Sequence, residues 1–503
     1  MKKIYLLFLC LSCVKVFSQA GTLDLSYGTS GRVHTSYSPA TFLSEHSVMQ
    51  DNGYVVLMGR YSFPASGVNQ IGLSRHQTDG TIDTSFGVNG FLNINVNDKT
   101  YGNSIVLQQD GKIVVAGYIL TSATTSSLLV IRLNPNGIFD STFGTNGIAL
   151  FANNINGNSV KIQVDNKIVI GGGNVDSDFA VVRLNPDGIL DNSFGFNGVV
   201  TTTINSSSYE SEINVISLQN DGKIVASGFA YLDFVNRSFC MVRYNTDGSI
   251  DNSFGTNGDG KVLTDIYTSA SDEILAQAIL ENDKIVVTGV TGATAVLARY
   301  TNDGVLDTSF GSNGLSLYMF GTTCTSRDLL IQPDNKIVIV GESFLPNNKY
   351  LIARYTEDGI LDTTFNTTGY NLGNFSTNNN KFNSVLMQSD GKLLATGLNQ
   401  IGNGVYTTIA RFHSGLNLNV NEFNNESFVV YPNPSSGIVS INTTGGMVKR
   451  VRVLNGLGQE VLQMMDLVED DTVVDLSGLM VGVYWMVLEL GDGRQVVKKL
   501  VKR

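Results

Sequence analysis

Residues 187 to 198 read DGILDNSFGFNG. Asp187, Asp191 and Ser193, set among glycines, are the donor types from which a calcium loop is built. The spacing fails that chemistry. An EF-hand loop needs glycine sixth and glutamate twelfth, and Asn192 and Gly198 stand there instead. Asp187 is also replaced by Asn136 and by Ala20 in other copies of the same motif. What recurs is a glycine (Gly188), an aspartate (Asp191), a hydroxyl (Ser193), an aromatic (Phe194) and a final glycine (Gly198). That set reads as structural, the aromatic filling space between units and the hydroxyl bonding backbone in a turn, so that the loop holds its own unit together. The four histidines, His34, His46, His76 and His413, form neither metal-binding nor triad spacing. No catalytic, cofactor-binding or metal-binding residue is expected, and catalysis is kept only as the second reading.

The elements that carry the motif repeat. Its aspartates are Asp24, Asp83, Asp140, Asp191, Asp251, Asp307 and Asp362, spaced 59, 57, 51, 60, 56 and 55 residues apart. A second motif keeps the same beat, as DGKIVVAG at 110 and DNKIVIVG at 334. A third is an arginine on an alternating strand: Arg75, Arg132, Arg183, Arg243, Arg299, Arg354 and Arg411. One unit reads as four short strands, for example Ile213 to Leu218, Lys223 to Ser227, Phe239 to Asn245, and a last strand through Gly258. The first turn ends in Gly53, Gly111, Asn166, Gly222, Asn335 or Gly391, residue types that tolerate a left-handed backbone. The fifth unit has Asn282-Asp283-Lys284 and is expected to turn differently. Four-stranded units at this period predict an all-β chain, a seven-bladed β-propeller.

The same offset of eight joins Arg75 to Asp83, Arg132 to Asp140, Arg183 to Asp191, Arg243 to Asp251, Arg299 to Asp307 and Arg354 to Asp362. Residues four before and four after a turn face each other across a hairpin, so each couple is expected to be a partly exposed ion pair. Asp24 and Arg411 are left over. A ring with an open edge invites aggregation. The N-terminal strand, near Gly31 to Tyr37, is therefore expected to close the last blade and bring Asp24 to Arg411.

The termini differ from the repeats. Lys2 and Lys3 precede an apolar run from Ile4 to Val14, too short to span a bilayer, and residues 1–18 read as a signal peptide. No later stretch is apolar for long enough to cross a membrane, so an exported chain is expected. Cys240 and Cys324 read as buried thiols. The net charge is −11 with no basic block, which argues against a nucleic-acid partner.

The DGxLDxSFGxNG and DGKIVVAG patterns resemble the delta-60 repeat family of bacterial β-propellers, over roughly residues 21 to 415. The resemblance implies a propeller in a secreted or surface protein and no particular activity. The propeller is assigned residues 19–415 and an Asn-rich linker 416–427. Residues 428–503 resemble the C-terminal sorting domain of type IX secretion cargo: Tyr431-Pro432-Asn433-Pro434, a run to Tyr484 with Gly482, and a basic end including Lys498 and Lys499. This resemblance implies a small β-sandwich, type IX machinery as partner, and removal of the domain or its replacement by an anchor after outer-membrane passage.

Length variation among the units falls in two alternate connections, which lie on one face of a propeller. Loops of free length are where function sits. Tyr118, Asp176, Tyr209, Tyr231 and Phe234 are the candidate contacts for an unknown glycan or protein ligand. The expected function is a secreted or surface binding module. The alternative is a hydrolase or lyase acting on a polymer.

Overall fold

The computed structural model describes residues 19–503 except 37–40, 64–67, 98, 123–124, 175, 205–209, 232, 234–235, 268–269, 346, 377–378, 403, 417–427, 444–447, 456–459, 466–470 and 491–494. The signal segment, Tyr209 and Phe234 lie outside the described residues. The chain divides into two units, Met1–Leu416 and Asn417–Arg503.

The first unit is all β and propeller-like. Among the described residues it holds seven four-stranded antiparallel sheets. The third sheet is representative, with strands Ile155–Ile162, Ile168–Asn174, Phe179–Leu184 and Val199–Thr202 in that order. The middle strands are buried along nearly their whole length because both faces of each sheet are covered by neighbouring sheets. The seven innermost strands are Thr41–Met49, Thr100–Leu107, Ile155–Ile162, Ser211–Leu218, Asp272–Ile279, Thr323–Ile331 and Asn380–Met387. Each touches the innermost strand of the next sheet, and Asn380–Met387 also touches Thr41–Met49. In the seventh sheet Asn380–Met387, Leu393–Ile401 and Gly404–Phe412 are followed by Arg32–Thr35, with Arg32 opposite Ala410 and Thr35 opposite Thr407.

Two sequence expectations need correction. The stretch from Asp251 to Gly260 is a succession of turns, and the fourth strand begins only at Lys261–Thr264. Asp251 instead meets Arg243 beyond a one-residue bridge between Tyr244 and Ile250. The fifth unit turns as the others do: Asp283 takes the glycine position at φ 59°, and its amide donates to Leu280 as Gly222 donates to Gln219. An aspartate tolerates this left-handed conformation, and its carboxylate also accepts the Asn220 amide at 3.0 Å from the sheet before it.

The second unit has sheets of three and four strands that share one core, including Val439, Ile441, Val451, Val474, Met486 and Leu488. Among the described residues no helix is long and apolar enough to cross a membrane.

Candidate functional site

The repeated loop is a latch between sheets. Arg183 Nε donates to Asp191 Oδ2 at 2.7 Å, and the other six couples, Asp24 with Arg411 included, lie at 2.6 to 2.9 Å. Both partners of the pair are buried, 5 % exposed each for Arg183 and Asp191. The expectation of partly exposed pairs is therefore corrected for six of the seven, because the turn of the following sheet covers them, whereas Arg411 stays partly exposed. Arg183 Nη1 donates to the Thr246 carbonyl of that turn at 2.5 Å, and Arg75 reaches Pro135 in the same way at 2.6 Å. The guanidinium lies over the ring of the motif aromatic, at 4.5 to 4.9 Å in all seven copies. That ring carries the next sheet: a Cβ on Gly248, already at φ +88°, would lie 3.0 Å from Phe194. The Gly195 amide donates to the Asp247 carbonyl across the same seam. The loop thus holds the next sheet as well as its own.

Sequence reasoning missed a third charged partner. Lys167 of the second motif reaches Asp191 Oδ2 at 3.1 Å, and Lys112, Lys223, Lys284, Lys336 and Lys392 do the same in their own sheets. The signal was present, since the lysine stands in six of seven copies, with Tyr54 in the first. Burial raises the Asp191 carboxyl, but hydrogen bonds from the Ser193 hydroxyl and amide, Lys167 and the Arg183 charge outweigh it. They hold the group well below the usual carboxylate range. Every polar group of the pair is spent on the fold. Two surface grooves of 470 and 440 Å³ at these seams have latch arginines, Arg132 and Arg411, in their walls.

The opposite end of each sheet varies. There the Leu120 amide donates to Lys99 and the Tyr231 amide to Glu210, which ties the two variable connections of a sheet together. Tyr118, in the second sheet, stacks on Tyr101 with centroids 4.9 Å apart. Asp176, in the third, is exposed, its amide held by Asn174 Oδ1 at 3.0 Å. Tyr231, in the fourth, lies under the Arg237 guanidinium at 5.0 Å. These three belong to successive sheets.

A bulge explains what lines the channel beside them. The glycine closing the second motif meets the inner strand so tightly that a Cβ on Gly117 would lie 1.9 Å from the Tyr101 carbonyl. Opposite it, each inner strand bulges by one residue: Glu45, Asn103, Asn158, Asn214, Leu275, Arg327 and Asn383. Four of these are asparagines that donate to the next sheet's backbone. Asn103 reaches Gly157 O at 3.1 Å, Asn158 Ile213 O at 3.0 Å, Asn214 Ile274 O at 2.9 Å and Asn383 Ser44 O at 2.8 Å. Glu45 and Arg327 replace that bond with charge. Arg60, Tyr118, Phe229 and Glu342 each follow a motif glycine, so this ring of changing residues was readable from sequence. Among the described residues no cluster of three or more metal-ligating side chains occurs.

In the second unit Asn433 Oδ1 accepts the Val501 amide at 2.9 Å and Lys502 Nζ donates to Ser436 O at 2.5 Å. The YPNP segment therefore lies along the terminal strand Gln495–Lys502, which carries Lys498 and Lys499. Gly482 opens the strand Gly482–Leu490, and Tyr484, buried, donates to Met480 O at 2.9 Å.

No curated protein matches the sequence. Solved structures similar to it include a protein of unknown function from Dyadobacter fermentans DSM 18053, 12% identical, covering 76% of this chain and 98% of that one, with a TM-score of 0.43. The polysaccharide lyase Uly1 is 10% identical, with 80% and 94% covered and a TM-score of 0.45. The β-propeller domain of the Trilobed protease from Pyrococcus furiosus is 8% identical, with 76% and 98% covered and a TM-score of 0.39. At these values none of them informs what this chain binds or turns over. Family models are decisive where they match. The domain of unknown function (DUF5122) beta-propeller matches residues 50–86, 108–143, 163–194, 219–254, 281–310 and 332–365, and the secretion system C-terminal sorting domain matches 429–503. The chain is a run of DUF5122 β-propeller repeats followed by a type IX secretion C-terminal sorting domain.

Proposed function

We propose that the protein is an exported binding module: a seven-bladed propeller, closed by its N-terminal strand, that engages a ligand with its variable-loop face. The type IX sorting domain marks the chain for export to the cell surface or the extracellular space. Seven blades accord with seven four-stranded sheets, and closure with the pairing of Arg32–Thr35 on Gly404–Phe412. Six matched repeats accord with this count as well. A seventh stretch would begin at Gln388 and finish at Tyr27, split between the two ends of the repeat region.

The observation that carries the binding reading is the contrast between the two ends of each blade. One end repeats the same latch at the same spacing. The other changes in loop length and in residue type, as Arg60, Tyr118, Phe229 and Glu342 at one repeat position illustrate. A repeat that fixes one face and frees the other has its structural load on the first. Replacing the loops after Leu120 and after Tyr231 by short neutral turns is expected to abolish capture of the chain by its target surface while the thermal melt is unchanged. Capture equal to that of the parent chain would refute the reading.

A further inference from the structure

At the channel mouth the repeat's own rule fails in three blades, the fifth, the sixth and the first, and in two of them a charge takes its place. In four blades the bulge residue is the asparagine that latches the next blade. In the fifth it is Leu275, in the sixth and the first it is Arg327 and Glu45, and between those two the seventh keeps Asn383 but adds Lys381 on the same inner strand. Arg60 stands opposite Leu43 on the first blade. Arg327 is satisfied by Glu342 at 2.5 Å. The side chains of Arg60 and Lys381 make no hydrogen bond or ion pair among the described residues, although Glu45 feels both charges. On the acidic side of the mouth the arrangement is complete. Glu273 holds Arg237 at 3.0 Å, and that guanidinium lies 4.1 Å over Phe229. Three cations crowded around two carboxylates, two of them unbonded, cost the fold stability unless an anion relieves them, and local rules are broken at such sites for function.

The next blade supplies a surface of another kind. Tyr101 and Tyr118 stack at 4.9 Å with an 18° tilt, and both stay half-buried. Tyr101 stands on the inner strand Thr100–Leu107, which packs against Thr41–Met49 and Val55–Phe63, the strands that carry Glu45 and Arg60, so the stack borders the cationic patch; the charges of Glu212 and Glu45 both reach Tyr118. Aromatic faces take the C–H face of a sugar ring, cations take its acid group, and a carboxylate such as Glu45 accepts from ring hydroxyls.

We propose that Arg60, Lys381 and the Tyr101–Tyr118 stack bind an anionic pyranose unit of a polysaccharide, its charge a carboxylate or a sulfate ester. This rests on the reading of the variable face as a binding face and names its ligand class. The test is calorimetric titration of the full chain with oligogalacturonate, with dextran sulfate and with neutral dextran. One or both anionic probes are expected to bind, which tells carboxylate from sulfate recognition, and neutral dextran is not. Arg60→Gln and Lys381→Gln should each weaken binding about tenfold, the loss of one charge-assisted contact. Arg237→Gln should stay within about twofold, since that cation is already paired. Failure of both anionic probes, equal binding of dextran, or charge variants that bind like the parent would each overturn the proposal. If loop replacement abolishes capture by the target surface while the Arg60→Gln/Lys381→Gln double variant keeps it, the face reading stands and this one falls. If loop replacement changes nothing, the face reading itself falls.

Discussion

Each latch concentrates buried charge on one carboxylate, and that makes the aspartates the residues whose loss is felt most. Asp191→Asn leaves Arg183 and Lys167 without their counter-charge in a buried setting, which costs about 3–5 kcal/mol. The effect depends on pH with a definite sign. The folded-state pKa of Asp191 is depressed, so its stabilisation is complete above the unfolded value of about 4 and is lost as pH falls toward the folded value. Denaturant melts of the parent and of Asp191→Asn are therefore expected to differ most at pH 5 to 7 and to converge between about pH 4 and pH 2. A gap that widens on acidification would be the wrong sign for this account. The pairing itself was legible, because an offset of eight about a turn puts Arg183 and Asp191 face to face. The burial was not, because the group that covers the pair, the turn at Thr246, lies 63 residues further on. Nor was the bond pattern of the channel: Asn158 looks like any polar strand residue until the bulge at Gly157 and Ser159 aims it at the next sheet.

At the scale of the elements, six seams share one construction and the seventh departs from it. Arg75, Arg132, Arg183, Arg243, Arg299 and Arg354 each donate Nη1 to a carbonyl of the following turn. Arg411 makes its bonds to Asp24 and Ser26, but its Nη1 has no such bond to the turn at Thr78. The motif aromatic there is Tyr27, where six copies have phenylalanine. Its hydroxyl lies 2.7 Å from the position a Cβ on Gly80 would take, so the extra oxygen stands against the turn. Tyr27→Phe is expected to let the turn settle onto the ring and to restore the arginine–carbonyl bond, raising stability by about 0.5–1.5 kcal/mol. Hydrogen exchange at the Gly80 amide should slow in the same variant. A destabilised Tyr27→Phe chain would mean that the hydroxyl supports the seam. The first turn shows the limit of reading elements from residue type. Asp283 breaks the Gly/Asn pattern, yet the unit keeps the same turn, because the left-handed residue recovers a bond from Asn220 that exists only once the sheets are stacked.

For the whole molecule, the period and the recurrence of the motifs were enough to predict repeated four-stranded sheets, and the two orphan residues, Asp24 and Arg411, do form an ion pair. The N-terminal segment does more there than add one strand. The Asp24 amide donates to Arg411 O at 2.8 Å, Gly21 to His413 O at 2.7 Å, and Arg411 N to Gly31 O at 3.0 Å. Asn366 of the sixth sheet donates to Ala20 O at 2.6 Å, so the segment also joins the sixth sheet to the seventh. Removing residues 19 to 36 deletes these bonds and uncovers Gly404–Phe412 as an edge strand. It also takes away the carboxylate facing Arg411 and Lys392 and the ring under the Arg411 guanidinium. A free terminus tolerates trimming at little cost. A strand paired as Arg32–Thr35 is does not, since strain at one seam passes to blades that touch only their neighbours. Asp24→Asn separates the two contributions, because it removes the charge and keeps the ladder. The truncated chain is expected to melt well below Asp24→Asn, by more than about 5 °C, and to aggregate on refolding. A truncation that melts with Asp24→Asn would mean that the charge pair alone holds the ends together and that the strand is dispensable.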